Sequence, residues 1–406
     1  MTMISRKDFL KTLALGFAGA GALGRRGLAA GLDQAAAGGL GRRVKITGVD
    51  IYPMDLAIKE PFRIAIGTIT AANDILVRVR TDAGIIGIGE ACPAPPITGE
   101  TQAGCLAAAR DIRTLLIGRD PTAVESAVRA FAMFLHTAPS VVAAYDMALY
   151  DIVGQMAGLP VFRLLGGDKA SFETDRTVSL AAPEAMAAKA RAFRARGFRT
   201  IKVKVGQDPA TDVDRVAAVR EAVGPEAGIR IDANQGWSVP QAVWALQRME
   251  PFRIQFAEQP VVAWDLAGLK AVKDRSPVPI MADEACFRPE DALKLVQAEA
   301  CHYINIKLMK AGGIFNSVRI SHIAESANVA CMVGCMNESR VALTAAVHVV
   351  ASQRNILFAD LDGNEEHLAD PVVDGFTIRD GEIIVPEKPG LGVDVDPAFL
   401  KTLKKI

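Results

Sequence analysis

The sequence predicts an α/β protein that contains a (β/α)8-type barrel, a modified TIM barrel, preceded by an N-terminal α+β domain. Between residues 174 and 361, eight short apolar runs alternate with amphipathic stretches of helical period. Seven polar clusters, the first at Lys202 and the last at Asp362, end seven of these runs at an average step of about 26 residues. That step suits one strand, one loop and one returning helix. Because a barrel gathers the carboxyl ends of its strands on one face, we expect the clusters to form a single site.

Eight strands and the helices between them are assigned from this alternation. The predicted strands are residues 174–180, 199–205, 229–233, 254–258, 278–283, 303–307, 330–335 and 356–361. Five of the predicted helices are Pro183–Ala195, Asp212–Val223, Val239–Met249, Pro289–Gln297 and Ile314–Ala327. A count of eight favours a barrel over an open sheet, and the last unit is expected to lack a full helix.

The regions on either side of the barrel differ from it in pattern. Residues 44–165 begin with alternating apolar and polar residues, typical of an antiparallel meander, and continue with helical periodicity. Strands followed by helices predict an α+β capping or lid domain. The barrel is assigned to residues 166–370. The proline- and glycine-rich residues 371–406 are predicted to form a tail that packs on the capping domain.

Residues 1–37 are predicted to be a secretory signal peptide. Basic residues around Arg6 and Lys7 precede a short apolar stretch, and the alanines at 35–37 suit cleavage. The segment resembles a twin-arginine signal in which Lys7 replaces the second arginine. Because the apolar stretch is shorter than the ~20 residues of a membrane span, no membrane association of the mature protein is expected. We expect a periplasmic protein; the alternative is a non-functional signal, an apolar helix that stays attached, and a cytoplasmic location.

Charge and cysteine content argue against several classes of protein. The 406 residues include 46 Lys+Arg and 46 Asp+Glu, and this balance gives no support for nucleic acid as a partner. The six cysteines form no C-x-x-C pair, which argues against a zinc ribbon or a redox motif. Buried free thiols are the simpler interpretation.

Three acids are expected to form a metal site. Asp232, Glu258 and Asp283 end three successive predicted strands. A single acid at a strand end is more often a helix cap or a surface group, but three converging carboxylates would repel one another without a cation. Oxygen ligands without histidine or cysteine suit a hard cation, Mg²⁺ before Ca²⁺ or Zn²⁺. The prediction is one Mg²⁺ per subunit.

Two lysines are expected to act as acid and base. Lys202 and Lys204 alternate with apolar residues and point inward, and Lys307 ends a strand on the opposite side of the barrel. A neighbouring cation is expected to lower the pKa of such a lysine toward that of a general base. The alternative is surface lysines that complete strands. Bases on both faces of a carbon next to a metal-bound carboxylate predict 1,1-proton transfer through an enediolate, and therefore an epimer.

These motifs resemble those of the enolase superfamily, muconate-lactonizing subgroup, over essentially the whole mature length. The matching segments are Thr200–Lys204, Asp232–Trp237, Glu258–Pro260, Ala282–Glu284 and Asn305–Gly313. The resemblance implies Mg²⁺ ligands at Asp232, Glu258 and Asp283. It implies acid/base roles for Lys204 and Lys307, and an N-terminal domain that caps the barrel and sets specificity.

Within that superfamily the chain looks most like dipeptide epimerases. The resemblance implies that Asp360 and Asp362, a D-x-D pair after the eighth strand, bind the free α-ammonium of a dipeptide. The pairing is physically reasonable, because a buried cation needs an anion. Residues Met332–Glu338 follow the subgroup's M-V-G-S-M-x-E pattern, with Cys335 in place of serine. The C-terminal residue of the dipeptide would then be epimerised.

Further residues are expected around the substrate. The other predicted substrate-binding residues are Lys202, Arg63, Thr68 and Glu338, and Asn234 and Glu284 are predicted to lie near the metal and the pocket. Residues 61–68 resemble a mobile lid. In L-Ala-D/L-Glu epimerases an arginine that holds the glutamyl group falls near the position of Gly67. Arg63 would replace it, or the substrate is apolar or small; L-Ala-D/L-Glu is favoured because a periplasmic location suits peptidoglycan fragments.

Three other functions stay open at this point. An o-succinylbenzoate synthase or a cycloisomerase would use the same scaffold, but its anionic substrate has no use for the Asp360/Asp362 pair. A Schiff-base lyase would use Lys204 or Lys307 covalently. A non-catalytic exported binding protein for dipeptides or metal would need none of the acid/base residues. A homo-oligomer is also expected.

Overall fold

A computed structural model describes residues 43–406 of the protein. The predicted signal peptide, residues 1–37, lies outside these described residues. Within them are an antiparallel three-stranded sheet, a parallel eight-stranded sheet and two small antiparallel sheets. The α/β class, the barrel and the preceding α+β domain are therefore confirmed. Within residues 43–406, no helix combines the length and apolar character that crossing a membrane requires.

The N-terminal domain is an antiparallel meander followed by helices. Its strands, in spatial order, are β1 (Ile46–Ile64), β2 (Gly67–Thr81) and β3 (Ile86–Ala91). Its helices are α1 (Pro95–Thr98), α2 (Gln102–Leu116), α3 (Val124–Phe134), α4 (Pro139–Ala157) and α5 (Val161–Leu164). The tip of the β1–β2 hairpin lies in the segment predicted to be a lid, where Ile64 pairs with Gly67.

Two glycines let helix α4 lie directly on strand β3. A Cβ atom at Gly87 would stand 2.0 Å from the carbonyl oxygen of Ala148, and one at Gly89 would stand 1.9 Å from that of Ala144. No side chain fits at such distances, so glycine is required for this close approach. The packing brings the next residue, Glu90, against the barrel, where it is fully buried.

All eight predicted barrel strands are present, and neighbouring strands run parallel. A short strand β4 (Ser171–Glu173) precedes them. The barrel strands are β5 (Arg176–Val178), β6 (Thr200–Lys204), β7 (Gly228–Asp232), β8 (Ala257–Glu258), β9 (Ile280–Ala282), β10 (Tyr303–Ile306), β11 (Ala330–Gly334) and β12 (Ile356–Asp360). The first and last strands approach each other where Asp175 N donates to Ala359 O at 3.3 Å.

Helices return the chain between these strands. They are α6 (Pro183–Ala195), α7 (Pro209–Val223), α8 (Val239–Met249), α9 (Leu266–Arg275), α10 (Pro289–Gln297), α11 (Leu308–Ala311), α12 (Ile314–Ser326) and α13 (Arg340–Ser352). Helix α7 begins three residues before the predicted Asp212, because Asp208 accepts a hydrogen bond from Thr211 N and so caps the helix earlier. After β12 there is only a 3₁₀ turn, as expected for the last unit.

The C-terminal residues contact both the barrel and the capping domain. Strand β13 (Val372–Asp374) pairs with β16 (Val393–Val395), β14 (Thr377–Arg379) pairs with β15 (Glu382–Ile384), and a short helix α14 (Pro397–Thr402) follows. Strand β15 also pairs with β4 at the base of the barrel. On the capping domain, Leu391 N donates to Asp151 Oδ1 at 2.8 Å, and Ile406 N donates to Ile51 O at 3.0 Å.

The six cysteines are all buried and unpaired. This agrees with the interpretation of free structural thiols. Burial raises the pKa of most of them, for example that of Cys286 to about 12. Thiols held neutral in this way behave as small apolar side chains.

Candidate active site

Three carboxylates converge at the mouth of the barrel. Asp232 and Glu258 end β7 and β8, where they are cross-strand partners, and Asp283 directly follows β9. All three are fully buried, and one oxygen of each lies within 4.8 Å of one oxygen of the others. Successive parallel strands thus bring together acids that are about 26 residues apart in the chain.

Two lysines of strand β6 reach these acids. Both point into the barrel, as the alternation of the strand predicts, and Asp232 Oδ2 lies 2.6 Å from Lys204 Nζ and 3.2 Å from Lys202 Nζ. Lys202 Nζ also lies 2.7 Å from Glu258 Oε2 and 2.7 Å from Asp360 Oδ2. Lys202 is therefore buried beneath the site and forms ion pairs with three carboxylates.

Lys307 approaches the acids from the other side. It follows β10, the sixth barrel strand, and its Nζ lies 2.7 Å from Asp283 Oδ2. Lys204 and Lys307 line the same cavity of about 530 Å³, between the barrel mouth and the capping domain. The two lysines thus face one space from opposite sides of the carboxylate cluster.

The charges of this cluster are strongly coupled. Burial opposes the charged form of Lys307, but the attraction of Asp283 and Glu258 outweighs it and raises the pKa of Lys307. The pKa of Lys202 is raised in the same way, mainly by Asp360 and Glu258. Carboxylates lie nearer to these two lysines than other cations do. The lowered lysine pKa, which is expected beside a bound cation, stays a prediction. Burial and the charge of Asp232 raise the pKa of Glu258 to about 8.

The donor set fits a hard divalent cation. It consists of carboxylate oxygens alone, which are the ligands that Mg²⁺ prefers. Softer metals favour sulfur or imidazole ligands. Glu258 Oε2 lies 2.7 Å from Lys202 Nζ but accepts no hydrogen bond of good geometry, and burial together with repulsion from Asp232 raises the pKa of Glu258. A cation between these oxygens would relieve that repulsion. Asp232, Glu258 and Asp283 are therefore the residues that would hold a metal.

Asn234 and Glu284 lie beside the carboxylates. Asn234 N donates to Asp232 Oδ1 at 2.9 Å, and its Nδ2 donates to Glu284 Oε1 at 3.1 Å. Its Oδ1 accepts from Lys204 Nζ at 3.2 Å. Asn234 also lines the cavity, whereas Glu284 is buried behind it. Asn234, itself held by Glu284, therefore positions Asp232 at the end of β7 and Lys204 at the end of β6.

Two neighbours of the metal-site acids were assigned no role from the sequence, although both lie in the matching segment Asn305–Gly313. Asn305 Nδ2 donates to Glu258 Oε1 at 2.7 Å. Lys310 is almost fully buried, and its Nζ contacts Asp283 Oδ1 and the backbone oxygens of Asp283 and Asn305. Lys310 stands three residues after Lys307 on the short helix α11, and this one-turn spacing is the signal that could have identified it.

The Asp360/Asp362 pair is held by residues of the first barrel strand. Asp360 Oδ1 accepts from Thr177 Oγ1 at 3.4 Å, while Asp362 Oδ2 accepts from Arg176 Nη1 and Thr177 N, both at 2.7 Å. Asp362 Oδ1 lies 3.9 Å from Cys335 Sγ, at the edge of the cavity. The sequence analysis assigned no role to Arg176 or Thr177, because none of the seven polar clusters lies at the end of β5.

The remaining predicted substrate-binding residues fall in different places. Thr68 lines the cavity, but Arg63 does not: its side chain is exposed, and its backbone N–H donates to Ser179 Oγ at 2.7 Å. Strand alternation explains this, since the neighbours of Arg63 in β1 face inward. Glu338 is buried beside the cavity, its Oε2 accepts from Met336 N at 2.7 Å, and burial raises its pKa to about 7.

Comparison with known proteins agrees with this geometry. Residues 46–166 match the family model for the N-terminal domain of mandelate racemase and muconate lactonizing enzyme, and residues 185–399 match the enolase C-terminal domain-like model. The chain belongs to this family, in the enolase superfamily. The two matches cover the capping domain and most of the barrel, and therefore both walls of the cavity.

Similar proteins from other organisms include several epimerases. The L-Ala-D/L-Glu epimerase of Clostridium acetobutylicum is 39% identical, over 86% of this chain and 98% of its own. The hydrophobic dipeptide epimerase of Enterococcus faecalis is 41% identical, over 86% of this chain and 99% of its own. A crystal structure of the dipeptide epimerase from Cytophaga hutchinsonii with Mg and D-Ala-L-Val has a TM-score of 0.88 and 39% identity, and the match covers 89% and 99% of the two chains. These family members differ in the side chains of their substrates.

Proposed function

We propose that this protein is a Mg²⁺-dependent isomerase that epimerises the C-terminal residue of a dipeptide by 1,1-proton transfer between two lysines, through an enediolate. One observation carries the proposal: Lys204 and Lys307 line one cavity from opposite sides of three converging carboxylates. The activities of the similar proteins, which include dipeptide epimerases, support it.

The acids and the lysines of the site have different roles in the proposed reaction. Asp232, Glu258 and Asp283 would hold Mg²⁺, which supplies positive charge that stabilises the enediolate form of the substrate carboxylate. Lys204 and Lys307 stand on the two sides of the carbon next to that carboxylate. One removes the Cα proton and the other returns a proton to the opposite face, so the configuration inverts. The capping domain covers the cavity and keeps bulk water from the carbanionic species.

The acid pair after β12 accounts for a dipeptide rather than a simple carboxylic acid. Lys202 occupies Asp360 Oδ2 and Arg176 occupies Asp362 Oδ2, and in each acid this leaves Oδ1 as the less engaged oxygen. One oxygen of each acid and Cys335 Sγ lie within 4.8 Å of one another, so one ammonium group would reach both acids. A substrate of a cycloisomerase or an o-succinylbenzoate synthase is anionic and offers no such cation, which favours the dipeptide.

The proposal is tested by incubating the mature protein with a panel of dipeptides in D₂O. Deuterium is expected at Cα of the C-terminal residue, together with the inverted diastereomer, and mass spectrometry and NMR measure the two. Chelation is expected to stop both, and added Mg²⁺ to restore them. Absence of exchange with every dipeptide would favour a non-catalytic binding protein. Trapping of a substrate–lysine adduct by borohydride would favour a Schiff-base lyase instead.

We also propose that the enzyme is exported to the periplasm and forms a homo-oligomer. The signal-like residues 1–37 support export, and peptidoglycan peptides would supply dipeptides there. Fractionation of cells that express the full chain is expected to recover a shortened protein outside the cytoplasm. Sedimentation of the mature protein is expected to give a mass above that of one chain.

A further inference from the structure

The cavity wall above the two lysines is mainly apolar, and its polar residues Thr68, Thr70, Asn73 and Asn337 are uncharged. The floor holds Lys204, Asn234 and Lys307, and the reacting carbon must lie between the two lysines. The side chain of that carbon therefore extends from the floor toward the wall. The residues that form this apolar wall include Phe62, Ile64, Ile66, Ile69, Ile97 and Met336. They come from the β1–β2 hairpin, from the segment after β3 and from the loop after β11.

The hairpin directs its apolar side chains into the cavity by strand alternation. Phe62 pairs with Ile69 across the hairpin, and paired residues share one face of an antiparallel sheet. Arg63 pairs with Thr68 on the next rung, and both side chains are exposed, although only Thr68 of these two also borders the cavity. A one-residue shift of register would be needed to turn the Arg63 guanidinium to the face of Phe62 and Ile69, and it would turn those apolar residues outward.

No cation is available on this wall for a substrate carboxylate. Among the described residues that line the cavity, Lys204 and Lys307 are the only Lys, Arg, Asp or Glu side chains. Both lysines are engaged, Lys204 with Asp232 at 2.6 Å and Lys307 with Asp283 at 2.7 Å. A glutamyl side chain in this space would lose its hydration without gaining a cation, and the neutral side chains of the lining, such as Thr68, Asn73 and Asn337, would offset only part of that loss. An aliphatic or aromatic side chain would gain from burial.

We propose that the epimerised residue carries an uncharged apolar side chain of the leucine or phenylalanine class, and not the carboxylate of glutamate. This inference rests on the proposed dipeptide epimerase activity and specifies its substrate. Of the two alternatives that the sequence left open, a glutamyl substrate held by Arg63 and an apolar or small substrate, it favours the apolar substrate. The cavity of about 530 Å³ has room for such a side chain, since ligand pockets of small molecules span roughly 300–1,000 Å³.

The test compares L-Ala-L-Leu, L-Ala-L-Phe and L-Ala-L-Glu as substrates of the mature enzyme with Mg²⁺. From deuterium incorporation at Cα, kcat/KM is expected to be on the order of 100-fold higher for the leucine and phenylalanine dipeptides than for the glutamate dipeptide. An equal or higher kcat/KM for L-Ala-L-Glu overturns the inference and leaves the proposed function standing. No exchange with any of the three, nor with a wider dipeptide panel, overturns the proposed function and the inference with it.

A pair of variants at one position tests the role of the wall. Ile69→Arg places a cation on the inner face of the hairpin and is expected to lower the leucine-to-glutamate ratio of kcat/KM at least about tenfold. Ile69→Met changes the shape of the side chain without adding charge, and it is expected to keep the order of the two substrates. A folded Ile69→Arg enzyme, checked by circular dichroism, that retains the wild-type ratio would contradict the assignment of this wall to the substrate side chain.

Discussion

Two groups of buried carboxylates in this protein have similar burial and different partners. The site group, at the barrel mouth, faces lysines. The docking group, on the capping domain, faces backbone N–H groups. The site group is Asp232, Glu258 and Asp283, and the docking group is Glu90, Asp146 and Asp151. The difference shows how one residue type serves catalysis in one place and assembly in another.

Glu90 and Asp146 each cap a barrel helix from the capping domain. Glu90 Oε1 accepts from Ser339 N at 2.8 Å and Glu90 Oε2 from Ala342 N at 2.9 Å, at the start of α13. Asp146 Oδ1 accepts from Phe315 N at 3.0 Å, at the start of α12. The first N–H groups of a helix lack partners within the helix and favour negative charge. These contacts therefore attach the capping domain to the barrel beside the site.

The partners decide the direction of the pKa shifts. Burial raises the pKa of Asp283, but Lys307 and Lys310 outweigh burial and the net shift is downward. Burial also raises the pKa of Asp146, and its backbone hydrogen bonds offset only part of this, so its pKa is about 8. Lysines thus keep a site carboxylate charged and ready for a metal, whereas neutral donors hold a docking carboxylate in place without fixing its charge.

Removal of one lysine is the change expected to have the largest effect. Lys204→Ala and Lys307→Ala are each expected to reduce epimerisation by on the order of 10⁴-fold, because one face of Cα then lacks its proton donor or acceptor. Each variant is expected to retain deuterium exchange from the face of the remaining lysine. Chiral chromatography measures inversion, and mass spectrometry measures exchange.

The matched control is Lys270→Ala, which removes a half-buried lysine that pairs with Asp274 on α9, away from the cavity. It is expected to keep wild-type rates. Full activity in both directions for either Lys204→Ala or Lys307→Ala would show that the two-base mechanism is wrong.

Glu90→Gln tests the docking group at its strongest contact. The amide keeps the shape but loses a charged acceptor at the start of α13, and the free energy of unfolding is expected to fall by about 1–3 kcal/mol. The KM is expected to rise more than kcat falls, because the loop before α13 carries the cavity residues Cys335 and Met336. Urea unfolding and steady-state kinetics measure the two effects.

Glu125→Gln is the comparison for that variant, since Glu125 forms an exposed ion pair with Arg129 on α3. Its free energy of unfolding is expected to stay within about 1 kcal/mol of the wild type. If Glu90→Gln were equally mild, the carboxylate would not be what holds the capping domain on α13.

Asp146→Asn is expected to have the smallest effect on activity of the three changes, and an effect on stability that depends on pH. The pKa of Asp146 is raised from 3.8 to about 8, so the folded state binds a proton that the unfolded chain releases between these values. The wild type should therefore lose stability relative to Asp146→Asn as pH rises from about 4 to about 8, at up to roughly 1.4 kcal/mol per pH unit.

Urea unfolding of both proteins at pH 5 and pH 8 measures this difference. Asp111→Asn, at an exposed position on α2, serves as the control and is expected to follow the wild-type curve. A stability gap between wild type and Asp146→Asn that is the same at both pH values would contradict the raised pKa.

Much of the barrel and of its site was predictable because the signals are local. Strand alternation places Lys202 and Lys204 on one face, and parallel strands place their carboxyl ends together, so Asp232 and Glu258 had to become neighbours. Helix bounds such as Pro183–Ala195 and Pro289–Gln297 followed from apolar period and proline position.

The sequence by itself thus determined the eight-stranded barrel and the acids and lysines at its mouth, since both follow from periods no longer than one βα unit. Tertiary structure alone decided which groups approach through space: Arg176 at Asp362, Glu90 at the start of α13, and the outward direction of Arg63. It also decided the sign of the Lys307 pKa shift. The physical reason is that charge interactions and side-chain direction depend on distances between segments that are far apart in the chain, and no local period encodes those distances.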